Sequence, residues 1–336
     1  MHIERRCTLK AELEALACTL WLACLAIMVP WAPEAHAQAQ RNLEVVQLQV
    51  PGQPMQRLYS ESHALVIGAS KYRNGWPRLP GVPGDVVAVT RLLRQQGFTT
   101  VKEVTDPTYA ELDTALRDFV TERGGKAENR LLVYFAGHGH TLTTAAGSKI
   151  GYIVPVDAPR PDQPRFRAMA YSMQAVEALA RQTEAKHVLF LFDSCFSGTI
   201  FRTRQGVPDS ISLRTTQPVR QFITAGDENQ PVPDESVFRR QLEEGLGQGA
   251  ADLNGDGYIT GSELGMFLED RVTNYTRQTQ TPRWGKIQDP NLDKGDFVFV
   301  NLFSQLSPTR APLPNTQPLG RQAKAGDVVQ DCVDCP

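Results

Sequence analysis

Apolar residues in this chain alternate between short unbroken runs and stretches with helical spacing. His63-Ala64-Leu65-Val66-Ile67-Gly68 is a continuous run ending in glycine, as expected of a strand buried on both faces. From Gly84 to Gln96, Val86, Val87, Val89, Leu92 and Leu93 recur at helical spacing, and Phe98 to Val104 reads as a second strand. Tyr109 to Thr121 places Leu112, Leu116 and Val120 on one helical stripe. Leu131 to Phe135 is the next buried strand, followed by a shorter one over Ile150 to Val156 and a helix from about Ser172 to Gln182. His187 to Phe192 is a strongly apolar strand; Gln221 to Ala225, Val237 to Leu246 and Phe297 to Val300 predict strand, helix and strand. This alternation predicts an α/β fold, a mostly parallel central sheet with helices on both faces. Ligands of such sheets sit at the carboxyl ends of the strands.

The flanks read differently. Residues 1–37 have the form of an export signal: Arg5, Arg6 and Lys10, an apolar run from Ala15 to Val29, then Pro30, Pro33 and the small-x-small Ala35-His36-Ala37. The run is short for a membrane span, so the mature chain is expected to be periplasmic or secreted with no stable span; an uncleaved anchor is the alternative. Residues 38–61, rich in Gln and Pro, read as a linker whose end can pair with the sheet, 62–304 as the domain, and 305–336 as a Pro-, Gly- and Gln-rich tail.

Composition narrows the function classes. At 41% hydrophobic and 21% charged residues the chain is globular, and 35 basic against 37 acidic residues offer neither a nucleic-acid surface nor a polybasic membrane patch. Beyond the leader only Cys195, Cys332 and Cys335 remain, so no disulfide framework staples the body. Cys195 is then either an apolar filler or a working thiol.

Its setting favours the thiol. The strand at 131–135 runs into Ala136-Gly137-His138-Gly139-His140, and the strand at 187–192 into Asp193-Ser194-Cys195-Phe196-Ser197-Gly198. An imidazole and a thiol exposed at strand ends suit nucleophilic attack on a carbonyl carbon. Tyr-Phe-Ala-Gly-His-Gly with Asp-Ser-Cys-Phe-Ser-Gly, and the Leu-Pro-Gly-Val-Pro-Gly-Asp turn before the first helix, resemble the caspase-like cysteine peptidases, in particular their bacterial metacaspase-like branch. The resemblance spans about residues 62 to 300 and implies a caspase-like fold. It implies Cys195 as nucleophile and His138 as its partner, with the backbone N–H groups of Gly139 and Cys195 as oxyanion donors. It further implies Asp85 and Asp193 as an acidic pair that selects protein or peptide substrates with Arg or Lys before the scissile bond. On the residues alone, Asp193 can instead brace its strand end. The chain departs from the family pattern at Phe196, where metacaspases usually carry His, and at Ala136, where they usually carry Ser.

Further along, Asp252-Leu-Asn-Gly-Asp-Gly-Tyr-Ile-Thr-Gly-Ser-Glu263 fits the twelve-residue EF-hand loop. Asp252, Asn254, Asp256, the Tyr258 carbonyl, Thr260 and Glu263 take the ligand positions for Ca2+, and Ile259 is placed to pair with a neighbouring strand. A polar Asx-rich turn capping the helix at Ser262 is the simpler reading. The 199–220 stretch offers Arg202, Arg204, Arg214 and Arg220, either sites for self-cleavage or a solvated basic loop. The terminal Cys332-x-x-Cys335 reads as a disulfide clip, half a metal site or a redox pair; it resembles the start of a formylglycine-generating-type domain, which implies a truncated second domain. The expected function is an exported cysteine endopeptidase, against a catalytically silent, calcium-stabilised recognition domain of the same fold.

Overall fold

The computed structural model describes residues 46–306 except 49, 51, 197–200, 203–210, 228–229 and 231–234. Residues 1–37, read above as an export signal, the cysteine-bearing tail and Arg204 lie outside the described residues. The strands are β1 (Gln47–Leu48), β2 (Gln56–Arg57), β3 (Glu61–Gly68), β4 (Thr100–Thr105), β5 (Asn129–Ala136), β6 (Gly139–Thr143), β7 (Lys149–Ile153), β8 (Tyr171–Ser172), β9 (His187–Cys195), β10 (Phe201–Arg202), β11 (Val219–Gly226), β12 (Tyr258–Thr260), β13 (Arg283–Ile287) and β14 (Val298–Val300). The helices are α1 (Val82–Gln95), α2 (Tyr109–Arg123), α3 (Phe166–Met169), α4 (Met173–Gln182), α5 (Val237–Leu242), α6 (Gly261–Tyr275) and α7 (Leu302–Leu306); a π-helical turn, Glu243–Gly247, prolongs α5.

Among the described residues the central sheet has the order β10-β13-β11-β9-β5-β3-β4. The five strands from β11 to β4 are parallel, and β13 and β10 close one edge antiparallel. The unbroken apolar runs sit in these central strands because helices cover both faces. On one face α2 and α4 pack over Leu131, Val133, Phe190 and Phe192. On the other, α1, α5 and α6 pack over Leu132, Tyr134, Leu189 and Leu191. Each such fully buried side chain contributes about 1.5–3 kcal/mol of burial. The register sets Gly68 opposite Ala136, and Ala136 opposite Asp193, so three strands end level along one edge.

Two sequence expectations change. The segment read as a linker folds into an antiparallel β1–β2 hairpin. Val46, Leu48, Val50, Leu58 and Tyr59 are buried there against Ile211, Val298 and Val300, so the domain already includes residue 46. The period-two alternation of Val46, Leu48 and Val50 was hidden by its Gln- and Pro-rich setting. The strand at 149–153 does not join the main sheet but forms a separate antiparallel sheet, β6-β7-β8. Its partner β6 begins at Gly139 and is mostly polar and half exposed, which left no apolar signal. Among the described residues no helix is long and apolar enough to cross a membrane.

Candidate active site

Strand alternation decides where the thiol points. Leu189, Leu191, Asp193 and Cys195 share one face of β9, the side covered by α1, α5 and α6. Past an irregularity in β11, Gly226 lies level with Cys195, and its missing side chain makes room for the sulfur: a Cβ there would collide with Cys195 Sγ. Ser194, on the opposite face, donates its hydroxyl to the Gly137 carbonyl at 2.5 Å and ties the two strand ends together. Gly139 packs on the Cys195 backbone, where a Cβ would come within 2.6 Å of the Cys195 carbonyl oxygen.

His138 is held from three sides. Its backbone N–H donates to Tyr72 Oη at 2.7 Å, and that hydroxyl donates to the Val154 carbonyl at 3.0 Å. The imidazole packs between the rings of Tyr72 and Trp76, at centroid distances of 4.6 and 5.1 Å. Nε2 lies 2.9 Å from the Pro77 carbonyl. A carbonyl only accepts, so the hydrogen-bond network assigns the proton to Nε2 and leaves the Nδ1 lone pair to take another. Among the described residues no hydrogen bond joins His138 to Cys195. Burial, reinforced by Asp193 and Asp227, pushes the Cys195 thiol well above its ordinary range. Burial, with Arg160 adding to it, pulls His138 below its ordinary value. Both effects favour a neutral thiol beside a neutral imidazole.

Sequence reasoning missed Tyr72, Trp76 and Pro77. Two aromatic residues in a polar strand-to-helix loop were a usable signal; Pro77 acts through a carbonyl, which every residue has.

Asp85 and Asp193 come together, both buried, at 5% and 3% exposure. Asp193 Oδ2 accepts from Tyr134 Oη at 2.9 Å and Ser236 Oγ at 2.5 Å, whereas among the described residues its buried Oδ1 has no hydrogen-bond partner. Burial, with Asp85 adding to it, pushes the Asp193 carboxyl up to about 6. Asp85 accepts from Arg239 Nε at 2.9 Å. The acidic pair therefore carries a basic partner that the sequence reading did not include. The bracing reading of Asp193 is altered too: its partners are two hydroxyls, not backbone N–H groups.

The 252–263 loop lies between helices, since the turn after α5 reaches Gly247 and α6 begins at Gly261. Ile259 pairs with Phe299 of β14. Asp252 accepts from the N–H groups of Gly255 and Gly257 at 2.8 and 3.0 Å, and Asn254 Oδ1 from that of Asp256 at 2.9 Å. Asp256 accepts from the N–H groups of Tyr258 and Ile211, each at 3.0 Å. Glu263 Oε2 caps α6, accepting from the Thr260 N–H and hydroxyl at 2.8 and 2.9 Å. Among the described residues no three His, Cys, Asp or Glu side chains are gathered closely enough to hold a metal. The Glu263 carboxyl is nonetheless pushed up to about 7, first by burial and then by Asp256 and Asp252. The donor set is all oxygen, the chemistry a hard cation takes, but its carboxylates are not gathered, and to hold an ion Glu263 must first swing off its cap.

Of the candidate cleavage sites, Arg220 is corrected. It is 1% exposed in β11 and donates to the carbonyls of Ala180, Thr183, Lys186 and Val219. Arg214 is exposed.

A parallel sheet covered on both faces, with histidine and cysteine leaving adjacent strand ends, has the layout of a thiol-dependent hydrolase. The family model described as "Caspase domain" matches residues 61–286, and the chain belongs to that family, whose members are cysteine peptidases. A crystal structure of a Geobacter sulfurreducens protein is similar over 70% of this chain and 97% of that one, with 16% identity and a TM-score of 0.47. No curated protein matches.

Proposed function

We propose that this domain is a metacaspase-type cysteine endopeptidase cleaving after Arg or Lys, exported by its leader to the periplasm or beyond. The observation that carries the reading is the Pro77 carbonyl on His138 Nε2, which leaves Nδ1 as the base. In the reaction the Cys195 proton passes to Nδ1 as sulfur attacks the scissile carbonyl carbon. The resulting oxyanion is met by the backbone N–H groups of Gly139 and Cys195. The C–N bond then breaks, the imidazolium returns its proton to the leaving amine, and water hydrolyses the thioester. Asp85 and Asp193, two residues from the nucleophile, attract the substrate's basic side chain.

In the same proposal Ca2+ binds at Asp252, Asn254, Asp256, the Tyr258 carbonyl, Thr260 and Glu263. Bound calcium neutralises the loop's carboxylates. The loop pairs with β14, whose Val298 carbonyl accepts from Arg130 at the amino end of β5, so it lies along the sheet edge opposite Cys195. The ion stabilises the fold and donates nothing to the reaction.

The test is hydrolysis of fluorogenic peptides ending in Arg, Lys or Asp, with calcium and with chelator, beside Cys195→Ala. Cleavage after Arg or Lys that vanishes in the variant supports the proposal; cleavage after Asp overturns the specificity. A second reading, a silent recognition domain, is favoured by the missing hydrogen bond between His138 and Cys195 among the described residues, with burial pushing the half-buried thiol's pKa up. No turnover of any peptide, with calcium still raising the melting temperature, selects it.

A further inference from the structure

The pocket assigned above to a substrate's base already holds one. Arg239, on α5, gives Nε to Asp85 Oδ1 at 2.9 Å and Nη1 to Glu243 Oε2, one turn along, at 2.5 Å. Asp85 and Asp193 are sealed, whereas the Arg239 side chain keeps 23% exposure and so lies on the solvent side of the acids.

Two features distinguish this arrangement from a fixed structural ion pair. Because Glu243 shares the guanidinium, Arg239 can leave Asp85 and still keep one ion pair. And Asp193 Oδ1 is buried without a partner among the described residues, while the Arg239 donors go to Asp85 and Glu243. A buried carboxylate oxygen left unpaired is costly, so the pocket is one donor short.

We infer that Arg239 is the resident occupant of the acidic pocket and governs its selectivity: a substrate's base takes Asp85 from Arg239 and supplies the donor that Asp193 Oδ1 lacks. The inference rests on the proposed Arg/Lys specificity for the identity of the displacing group. Exchange lowers apparent affinity by the fraction of molecules in which Arg239 has moved aside. It favours arginine over lysine, because a guanidinium fork can reach both acids at once.

The experiment uses Arg239→Ala in the full chain, with two readouts. KM for an arginyl peptide is expected to fall about fivefold with kcat kept, as removal of a competing internal group requires. In calorimetric melts the variant should unfold at a lower temperature than wild type and be restored by millimolar methylguanidinium in a saturable manner. Tetramethylammonium at equal ionic strength should not restore it, nor should methylguanidinium restore Asp85→Asn combined with Arg239→Ala. An unchanged or raised KM without rescue overturns the inference and leaves a fixed ion pair. Should Arg239→Ala fail to fold, Arg239→Gln keeps the volume, removes the charge and is read the same way. If no variant cleaves any peptide the peptidase reading fails, while rescue by methylguanidinium still decides whether the pocket is built for a guanidinium.

Discussion

The two ends of the central sheet use their buried polar groups differently. At the amino end, Arg130 is buried at 0% exposure and donates to Ser62 Oγ, the Val298 carbonyl and the Gln96 carbonyl at 2.7–2.8 Å, with its guanidinium over the Tyr59 and Phe98 rings. Beside it His187 is bracketed by Tyr59 Oη and the Gln217 carbonyl. At the carboxyl end, among the described residues, Cys195 is a half-buried thiol with no hydrogen bond, Asp193 Oδ1 has no partner, and the fully buried Gln280 leaves both polar side-chain atoms unpaired. Gln280 and Cys195 Sγ crowd the same spot at Gly226. The amino end also leaves His63 Nδ1, Gln96 Oε1 and Asn129 Oδ1 unpaired, but the carboxyl end gathers its reserve of unpaired groups around one thiol, as a site that a ligand completes does.

The largest effect comes from the carboxyl end. On the proposed mechanism Cys195→Ala removes the nucleophile and should lower kcat/KM by roughly 10⁴-fold or more, since the two residues of a dyad act as a unit. The melting temperature should hardly move, because a thiol without hydrogen bonds contributes little beyond its small volume. A variant that keeps measurable turnover would place the chemistry elsewhere.

The Arg130 network at the amino end should respond in reverse. Arg130→Met strands two carbonyls and a hydroxyl and should cost about 4 kcal/mol in urea unfolding. Turnover per folded molecule should not change. A cost under about 1 kcal/mol would mean that the network contributes no more than its apolar equivalent.

The 252–263 loop lies at the amino end and holds a buried carboxyl, that of Glu263, which pH exposes. Glu263 ionises near 4.5 when unfolded and at about 7 when folded. The folded state therefore holds this proton more tightly. Stability from this group is present below the lower value and lost as pH rises through the higher one, by about 3 kcal/mol in all. Melting temperature in chelator should fall between pH 5 and pH 7.5, and millimolar calcium should flatten or reverse that slope. Identical slopes with and without calcium would remove the cation from the proposal.

How much of this was legible in the sequence follows the same division. The central strands were readable because burial on both faces demands unbroken apolar runs, and His138 and Cys195 because glycines and small residues follow those runs directly. The β1–β2 hairpin and β6 were not, since each has one polar face or too few residues to show a period. Nor was the Arg239–Asp85 pair, which joins helices 154 residues apart and has no local signature. The Pro77 carbonyl was invisible for a different reason, that a backbone group leaves no mark on residue type.

A smaller effect should follow from Gln280→Leu. Replacing an unpaired buried amide by an apolar group of like volume should raise stability by about 1 kcal/mol. If Gln280 serves the substrate, kcat/KM should fall in the same variant; a loss of stability would show that the amide is satisfied after all.

The smallest change bears on a departure from the family pattern. Ala136 lies opposite Asp193 in the β5–β9 register and on the same face as Tyr134, whose hydroxyl already serves Asp193. Cross-strand neighbours point the same way, so a hydroxyl at 136 would sit beside the carboxyl whose Oδ1 is unpaired. Ala136→Ser should therefore supply that donor and stabilise the fold by about 1 kcal/mol. It should also lower the Asp193 carboxyl from about 6 toward its ordinary value, moving the acid limb of the pH–rate profile for arginyl peptides downward. Stability and the acid limb must move together, because one hydrogen bond produces both. A stabilised variant with an unmoved acid limb would mean that Asp193 does not control substrate binding, and the carboxyl end would lose its specificity carboxylate.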